Sequence, residues 1–246
     1  MANIMATREL QRPDGAIWKT FEQDGVDVLL TARGLEELAT NPGIQEKVCD
    51  YIRKSMGNIA LQEDDGVRTY FGKDSNSVIY TLDQTSYGYS MLMKETNGHS
   101  MINAVKRLDR IKEIIDKRRL AGTIPGYINV PDHYGVISGG SLPSQYVLMQ
   151  GIDTGVNVRD VTDFYSLDAK ARTGVDHLIG PITPAIQDEV RLGYKNVEEI
   201  LNEAIAEETG QAPHLLLSDW HEGNVVLESL KTPIDSSNWA YWVIDQ

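Results

Sequence analysis

The sequence has too little of several residue types to fit some common classes of protein. Its 246 residues include a single cysteine, Cys49, so the chain cannot form an internal disulfide. Because disulfide-rich folds belong to oxidising compartments, this composition predicts an intracellular, cytoplasmic protein. The opening residues, MANIMATRELQRPDG, contain neither a basic segment nor the apolar core of a secretory signal.

Long apolar runs and an excess of basic residues are also missing. No apolar run approaches the ~20 residues that a membrane-spanning helix needs, so we expect no membrane partner. There are 23 lysines and arginines against 36 aspartates and glutamates, which gives a formal net charge of −13. Since nucleic-acid-binding proteins present a basic surface, we expect no nucleic-acid partner. A nucleotide is compatible with this charge, because a local lysine, backbone N–H groups and a metal ion can hold its phosphates.

Two familiar catalytic patterns are absent as well. The five histidines show no metal-ligand spacing, which disfavours a histidine-bound zinc. No G-x-S-x-G motif is present, which disfavours a serine nucleophile of the hydrolase type. What the chain does have is 41% hydrophobic residues over a length that suits one domain or two small lobes.

The predicted elements change along the chain from strands to helices. Residues 67–82 predict two strands joined by a polar turn, and residues 86–95 predict a third. The clearest helix covers residues 102–122, and a hairpin through YGVISGG and QYVLMQGI follows it. From residue 153 onward the pattern is mainly helical, ending in the stretch AIQDEVRLGYKNVEEILNEAIAEETG. This order predicts an α+β fold.

Residues 1–66 have a different character and are predicted to be a partly helical N-terminal extension. VDVLLTA predicts a short strand, and the segment GLEELATNPGIQEKVCDYIRKSMGN predicts one or two helices. The break between them is expected at Asn41-Pro42-Gly43, because proline and glycine interrupt helices.

Four polar residues stand at the ends of apolar segments. Lys94 ends the third strand, Asp219 and Asn224 lie in the turn SDWHEGN, and Asp245 follows the apolar strand WVI. Phosphoryl transfer needs these groups: a carboxylate to orient the attacking hydroxyl, a lysine to hold phosphates, and oxygen ligands for Mg²⁺. We therefore assign Asp219 as the catalytic carboxylate, Lys94 as the phosphate-binding cation, and Asn224 with Asp245 as metal ligands.

The segment LLLSDWHEGNVVL resembles the catalytic loop of the protein-kinase-like superfamily. It is closest to the aminoglycoside phosphotransferase branch, whose motif has the form H-G-D-x-H-x-x-N between two apolar runs. YSMLMK resembles the strand that carries the phosphate-binding lysine, VLMQGIDTG the strand and hinge beside adenine, and VID the strand with the metal-binding aspartate. The order of these segments is the order in that superfamily, from residue 67 to residue 245.

The resemblance implies a two-lobed fold that binds ATP and Mg²⁺ and transfers a phosphoryl group to a small-molecule or protein acceptor. Residues 67–150 would form the small β-rich lobe, and residues 151–246 a helical lobe without the usual C-terminal helices. The hinge residues Met149, Gln150 and Ile152 would bind the nucleotide. Glu113, on the helix after Lys94, would pair with that lysine; Asp109 and Asp116 are alternatives nearer the apolar stripe. His221 would help to hold the loop.

Departures from that pattern keep two other interpretations open. The turn FGKDSNSV has one glycine where a phosphate-covering loop has several, and Ser218 replaces the usual residue before the catalytic aspartate. Only Gln246 follows Asp245, so the chain is expected to be a minimal variant or a fragment. The second interpretation is a kinase-like binding or scaffold protein with weak or no catalysis. The third is an unrelated α+β protein, in which Asp219 and Asn224 are ordinary turn residues.

Overall fold

The computed structural model describes most of the chain in separate stretches. These are residues 8–11, 17–23, 26–41, 43–44, 46–48, 50–51, 67–69, 78–84, 90–96, 101–139, 142, 145–152, 154–234 and 237–244. The chain divides into two compact units. The first comprises Met1–Ile102 with Asp132–Gly151, and the second Asn103–Pro131 with Ile152–Gln246.

The first unit contains an antiparallel sheet of eight described strands. In chain order they are β1 to β6, Arg8–Gln11, Ile17–Gln23, Val26–Leu30, Val67–Thr69, Val78–Gln84 and Ser90–Thr96, then β8, His133–Ser138, and β9, Gln145–Gln150. The order across the sheet is β1-β2-β3-β8-β9-β6-β5-β4. The predicted strands of residues 67–150 are therefore all present, and the strand predicted near residue 26 joins the same sheet through β8.

Alternating side chains bury one face of β3 in the core of the first unit. Val26, Val28 and Leu30 are fully buried while Asp27 between them is exposed, as expected for a strand with one buried face. A helix, α1, Ala32–Thr40, follows directly. Thr31 begins it, since its hydroxyl oxygen accepts a hydrogen bond from the N–H of Gly34 at 3.0 Å. Helical residues resume at Gly43, the last residue of the predicted break.

The second unit is built around a smaller sheet of four described strands. They are β7, Ile128–Asn129; β10, Gly155–Asn157; β11, Val225–Ile234; and β12, Ser237–Val243, in the order β10-β11-β12-β7. The hairpin of β11 and β12 is antiparallel and pairs Val225 with Val243. This pairing brings the start of β11 and the end of β12 to the same edge of the sheet.

Helices cover this sheet. They are α2, Met101–Leu120; α3, Val158–Thr162; α4, Ala169–Ile179; and α5, Pro184–Thr209. The start of α5 follows local rules, because Thr183 caps it and Pro184 occupies its first turn. Its end at Gly210, with a φ of 64°, is the left-handed stop that the sequence predicts.

The core of the second unit combines one face of α2 with one face of α5. Leu108, Ile111 and Ile115 of α2 are buried in the same cluster as Val197 and Leu201 of α5. Of the helix predicted over residues 102–122, all but its first residue belongs to this unit. The protein is therefore of the mixed α+β class. Among the described residues, no helix is both long and apolar enough to cross a membrane.

Candidate functional site

The turn that carries Asp219 begins where α5 stops. After Gly210 the chain forms a short 3₁₀ turn at Pro213–Leu215, and Leu217 then buries its side chain in the core of the second unit. The segment HLLL is thus a turn with one inserted apolar side chain; Leu215 itself is exposed. Leu217 fixes the chain two residues before Asp219, whose side chain is 68% exposed. The carboxylate therefore faces solvent from an anchored turn.

Asn224 holds Asp219 from the other end of the turn. Its Nδ2 donates to the backbone oxygen of Asp219 at 2.9 Å and to Oδ2 of the same residue at 3.1 Å. The Asn224 side chain is buried, and a buried amide group must be hydrogen-bonded to be stable. Both bonds use the amide nitrogen, so neither of them occupies Oδ1, the oxygen that a cation would bind.

His221 lies between these two residues and contacts both the turn and Asp219. Its Nδ1 accepts a hydrogen bond from the N–H of Gly223 at 3.0 Å, and its Nε2 is 3.6 Å from Asp219 Oδ2. The ring therefore packs against the turn, which agrees with a structural role. A side chain at position 223 would also collide with it, since a Cβ there would lie 3.0 Å from the ring.

Asn224 directly precedes β11 of the hairpin, and Ile244 directly follows β12. The N–H of Ile244 donates to the carbonyl oxygen of Asn224 at 3.0 Å, one pair beyond Val225 and Val243 in the ladder. Asp245, the residue after Ile244, lies outside the described residues. Its side chain therefore has no stated position, and its assignment as a metal ligand stays a prediction.

A second set of polar contacts joins the turn to the short helix α3. The hydroxyl of Thr162 donates to Glu222 Oε2 at 2.6 Å, and Arg159 Nη2 lies 3.4 Å from His221 Nδ1. The sequence motif did not indicate Arg159 or Thr162, because they stand about sixty residues before the turn and in no recognisable spacing with it. Only the tertiary contact identifies them.

An aromatic pair lies beside the turn that carries Asp219. The rings of Tyr194, on α5, and Trp220 stack with centroids 5.3 Å apart. Burial raises the pKa of the Tyr194 phenol well above its usual value, and the nearby carboxylates of Glu198 and Glu222 raise this pKa further. Tyr194 is therefore neutral across the physiological range, and the half-buried Trp220 packs against the core of the second unit.

Lys94 belongs to the first unit, on β6. It pairs across the sheet with Ile79 on one side and Val147 on the other. Met91 and Met93 are buried whereas Leu92 and Lys94 are half-buried, so the lysine shares the more open face of the strand. Lys94 is thus carried by the third strand of the segment that begins at Val67.

The predicted hinge residues lie at the end of the neighbouring strand, β9, and just after it. Met149 and Gln150 are buried, and Ile152 is half-buried at the start of the second unit. The N–H of Gln150 donates to Asp132 O at 2.8 Å, and its side-chain oxygen accepts from the N–H of Asp132 at 3.2 Å. Because the backbone donor of Gln150 is used in this way, it is not available for a nucleotide base in this structure.

Glu113 lies on α2, within the second unit. Its carboxylate forms an ion pair with Arg110 Nη1 at 2.8 Å, and its side chain is 51% exposed. It therefore faces away from the buried stripe of this helix, as its helical phase predicts. The alternative Asp116 pairs with Lys112 and Arg119 on the same helix. Pairing of Lys94 with an acid of α2 stays a prediction.

The structure thus joins Asp219 and Asn224 in one hydrogen-bonded turn of the second unit, and carries Lys94 and Met149 on adjacent strands of the first. No protein-family model matches the chain, and no curated protein shows significant similarity to it.

Proposed function

We propose that this protein is an ATP- and Mg²⁺-dependent phosphotransferase of kinase-like fold that acts on a hydroxyl group. The observation that carries the proposal is the double hydrogen bond from Asn224 to Asp219, with Ile244 bonded to the same asparagine. In this arrangement the exposed carboxylate of Asp219 and the amide oxygen of Asn224 lie in one turn. The residue that precedes Asp245 is hydrogen-bonded to that turn from the end of β12. An ordinary polar turn needs neither a buried asparagine nor a strand partner.

In this proposal Asp219 accepts or orients the proton of the attacking hydroxyl. Asn224 and Asp245 would bind Mg²⁺ through oxygen atoms, and the metal when bound would neutralise charge on the phosphates. The exposure of Asp219 suits its role, since the carboxylate must meet a hydroxyl group from solvent. Asn224 is buried and uses Nδ2 for its two bonds to Asp219, so Oδ1 is the atom that would bind the metal.

Lys94 supplies the cation that the phosphates need. Protein kinases carry this lysine on the third strand of their small lobe. Lys94 lies on the third strand of the segment 67–96, paired directly with the strand that precedes the predicted hinge. The pairing of these two strands supports a kinase-like small lobe. The helix between them in sequence, α2, lies in the second unit from Asn103 onward and does not add to this support.

Two measurements test the proposal. Denaturant unfolding with and without Mg·ATP measures binding, and a hundredfold excess of ligand over its Kd should add about 2.7 kcal/mol to the free energy of unfolding. Single-turnover conversion of ATP to ADP, with water as the surrogate acceptor, measures chemistry. Asp219→Asn should lower this rate at least about a hundredfold while preserving Mg·ATP binding.

Matched variants separate these effects from a general loss of charge. Glu199→Gln removes an exposed carboxylate from α5 and should change neither measurement. Lys94→Met should weaken Mg·ATP binding, whereas Lys195→Met, on an exposed position of α5, should not. An ATP response that is equal in the Lys94 and Lys195 variants would contradict the assigned phosphate site.

A binding or scaffold protein of the same fold is the second candidate. The occupied backbone donor of Gln150 and the single glycine in FGKDSNSV favour it, because both reduce the groups that hold a nucleotide. This candidate predicts that Mg·ATP stabilises the protein. It also predicts that any conversion of ATP to ADP is equally fast in the wild type and in Asp219→Asn.

A further inference from the structure

The two nitrogens of His221 face different kinds of group. Nδ1 lies 3.0 Å from the N–H of Gly223 and 3.4 Å from Nη2 of Arg159. A backbone amide and a guanidinium can only donate, so Nδ1 must present its lone pair to them. In the neutral ring the proton is then on Nε2, because the hydrogen bond made by one imidazole nitrogen fixes the state of the other.

The protonated nitrogen is the one that faces Asp219. His221 Nε2 lies 3.6 Å from Asp219 Oδ2, which also accepts the hydrogen bond from Asn224 Nδ2. At this distance the N–H of His221 acts as an oriented dipole rather than as a full hydrogen-bond donor. Both neighbours act on Oδ2, so the other carboxylate oxygen, Oδ1, is the one left to meet a hydroxyl group.

Arg159 lies on α3, and hydrogen bonds from α5 hold this short helix in place. This helix has only five residues, and its final carbonyl groups need partners outside it. Gln187 Nε2 donates to Val161 O at 2.9 Å and to Thr162 O at 3.0 Å, and Arg191 Nη2 donates to Thr162 O at 2.6 Å. The long helix α5 therefore fixes α3, and α3 reaches the turn through Arg159 and Thr162.

We propose that Arg159 and His221 are positioning residues for the Asp219 carboxylate. Arg159 and the N–H of Gly223 hold His221 in the tautomer whose Nε2–H faces Asp219 Oδ2, and this contact confines the carboxylate to one rotamer with Oδ1 outward. The consequence for catalysis depends on the phosphotransferase activity proposed above, whereas the tautomer and the rotamer do not.

Nuclear magnetic resonance tests the geometric part without any assay of activity. In alkaline buffer, where imidazoles are neutral, the ¹⁵N shifts of His221 should be those of a ring protonated at Nε2. Asp219 should show the couplings of a single χ1 rotamer. A ring protonated at Nδ1, or an Asp219 side chain that averages over rotamers in the wild-type protein, would overturn the proposal.

One substitution at position 221 separates the two functions of the ring. In His221→Asn the side-chain oxygen can still accept from the N–H of Gly223, but no group at position 221 reaches Asp219. This variant should keep the wild-type unfolding free energy, show rotamer averaging at Asp219, and lower kcat about tenfold with KM for ATP unchanged. If the Asp219 side chain keeps a single rotamer in this variant, or if KM changes as much as kcat, the positioning role is wrong.

Arg159 is tested in the same way with a conservative control. Arg159→Met removes the donor to His221 Nδ1, whereas Arg159→Lys keeps a cation. The methionine variant should show a mixture of His221 tautomers and averaging at Asp219, and the lysine variant should restore part of both signals. If both variants keep the wild-type tautomer and rotamer, Gly223 alone fixes the ring and the proposed role of Arg159 is wrong. If no variant of the protein converts ATP, the NMR results still decide the positioning, and only the proposed function fails.

Discussion

The backbone N–H of Ile244 donates a hydrogen bond to the carbonyl oxygen of Asn224, at 3.0 Å. This bond links the last described residue of the chain to the turn that contains Asp219. The antiparallel register of β11 and β12 requires it, since Val225 pairs with Val243. Two short motifs that are twenty residues apart in the sequence are thus neighbours by strand pairing alone.

The first prediction concerns the hydrogen bonds of this turn. Asn224→Ala removes both donations to Asp219 and leaves the backbone oxygen of Asp219 without that partner. The free energy of unfolding should fall by about 1–3 kcal/mol, because two part-buried hydrogen bonds are lost, one of them to a carboxylate. Chemical denaturation measures this change. The exposed residue Asn238 is the control, and Asn238→Ala should change stability by less than about 0.5 kcal/mol.

The second prediction compares two glycines inside helices. A Cβ at Gly193 of α5 would lie 2.0 Å from Oη of the buried Tyr241, whereas a Cβ at Gly174 of α4 would meet nothing within 4 Å. Gly174→Ala should therefore stabilise the protein by up to about 1 kcal/mol through helix propensity. Gly193→Ala should destabilise it by about 1–3 kcal/mol through overpacking. Equal effects of the two variants in thermal unfolding would contradict the close approach of α5 and β12.

The third prediction concerns the close packing of α1 against β8 in the first unit. A Cβ at Gly34 of α1 would lie 1.8 Å from the backbone oxygen of Tyr134 on β8, so the helix and the strand approach too closely for any side chain. Since a backbone atom cannot rotate away, Gly34→Ala should destabilise the protein by about 3 kcal/mol or more. Glu36→Ala, at an exposed position of the same helix, is the control. Hydrogen exchange of the β8 amides would localise the effect.

The fourth prediction is a pH dependence that arises from Asp160 on α3. Burial raises the pKa of its carboxyl above the ordinary 3.8; Arg159 opposes this and Asp163 adds to it. A raised folded-state pKa means that ionisation disfavours the folded state, so the penalty is present near pH 7 and disappears as the pH falls below 3.8. Asp160→Asn should therefore be more stable than wild type at pH 7. The difference should shrink on acidification, and denaturation curves at several pH values would show this.

The fifth prediction has the opposite sign and concerns the ends of α2 and α5. The hydrogen bond from Lys117 lowers the pKa of Glu208, and the charges of Lys117 and Arg118 lower it further. A lowered folded-state pKa contributes stability above the ordinary value of 4.5, and this contribution is lost as the pH falls through the lowered value.

Glu208→Gln should accordingly be less stable than wild type at neutral pH. The two proteins should converge as the pH falls below 4.5, and high salt should also reduce their difference. Glu203→Gln, an exposed carboxylate on α5, serves as the control and should show neither trend. A Glu208 difference that is independent of pH would mean that the side chain acts through packing rather than charge.

Much of the local structure was predictable because it depends on neighbouring residues. The helix from Pro184 to Thr209 follows from its 3.6-residue apolar pattern, and its stop at Gly210 from glycine's freedom to adopt positive φ. The strands over residues 78–84 and 90–96 follow from alternating side chains. By contrast, HLLL has no preference strong enough to distinguish a strand from the turn that it forms, since only Leu217 has a place in the core.

The candidate site was predictable only where its residues are close in sequence. Asp219, His221 and Asn224 interact within one turn, and their spacing predicts that they do. Arg159 and Thr162 reach the same turn from another helix, and no local pattern could indicate them. For the same reason the sequence could not decide which backbone donors of the predicted hinge are used.

By itself the sequence determined many of the elements of this protein, its mixed α+β class and the turn that groups a carboxylate, an imidazole and an amide. Tertiary structure decided that α2 packs in the core with α5, that the strand Val26–Leu30 pairs with His133–Ser138, and that α3 supports the turn. The physical reason is the range of the interactions. Backbone conformation and side-chain periodicity act over a few residues, whereas burial and strand pairing select partners from anywhere in the chain.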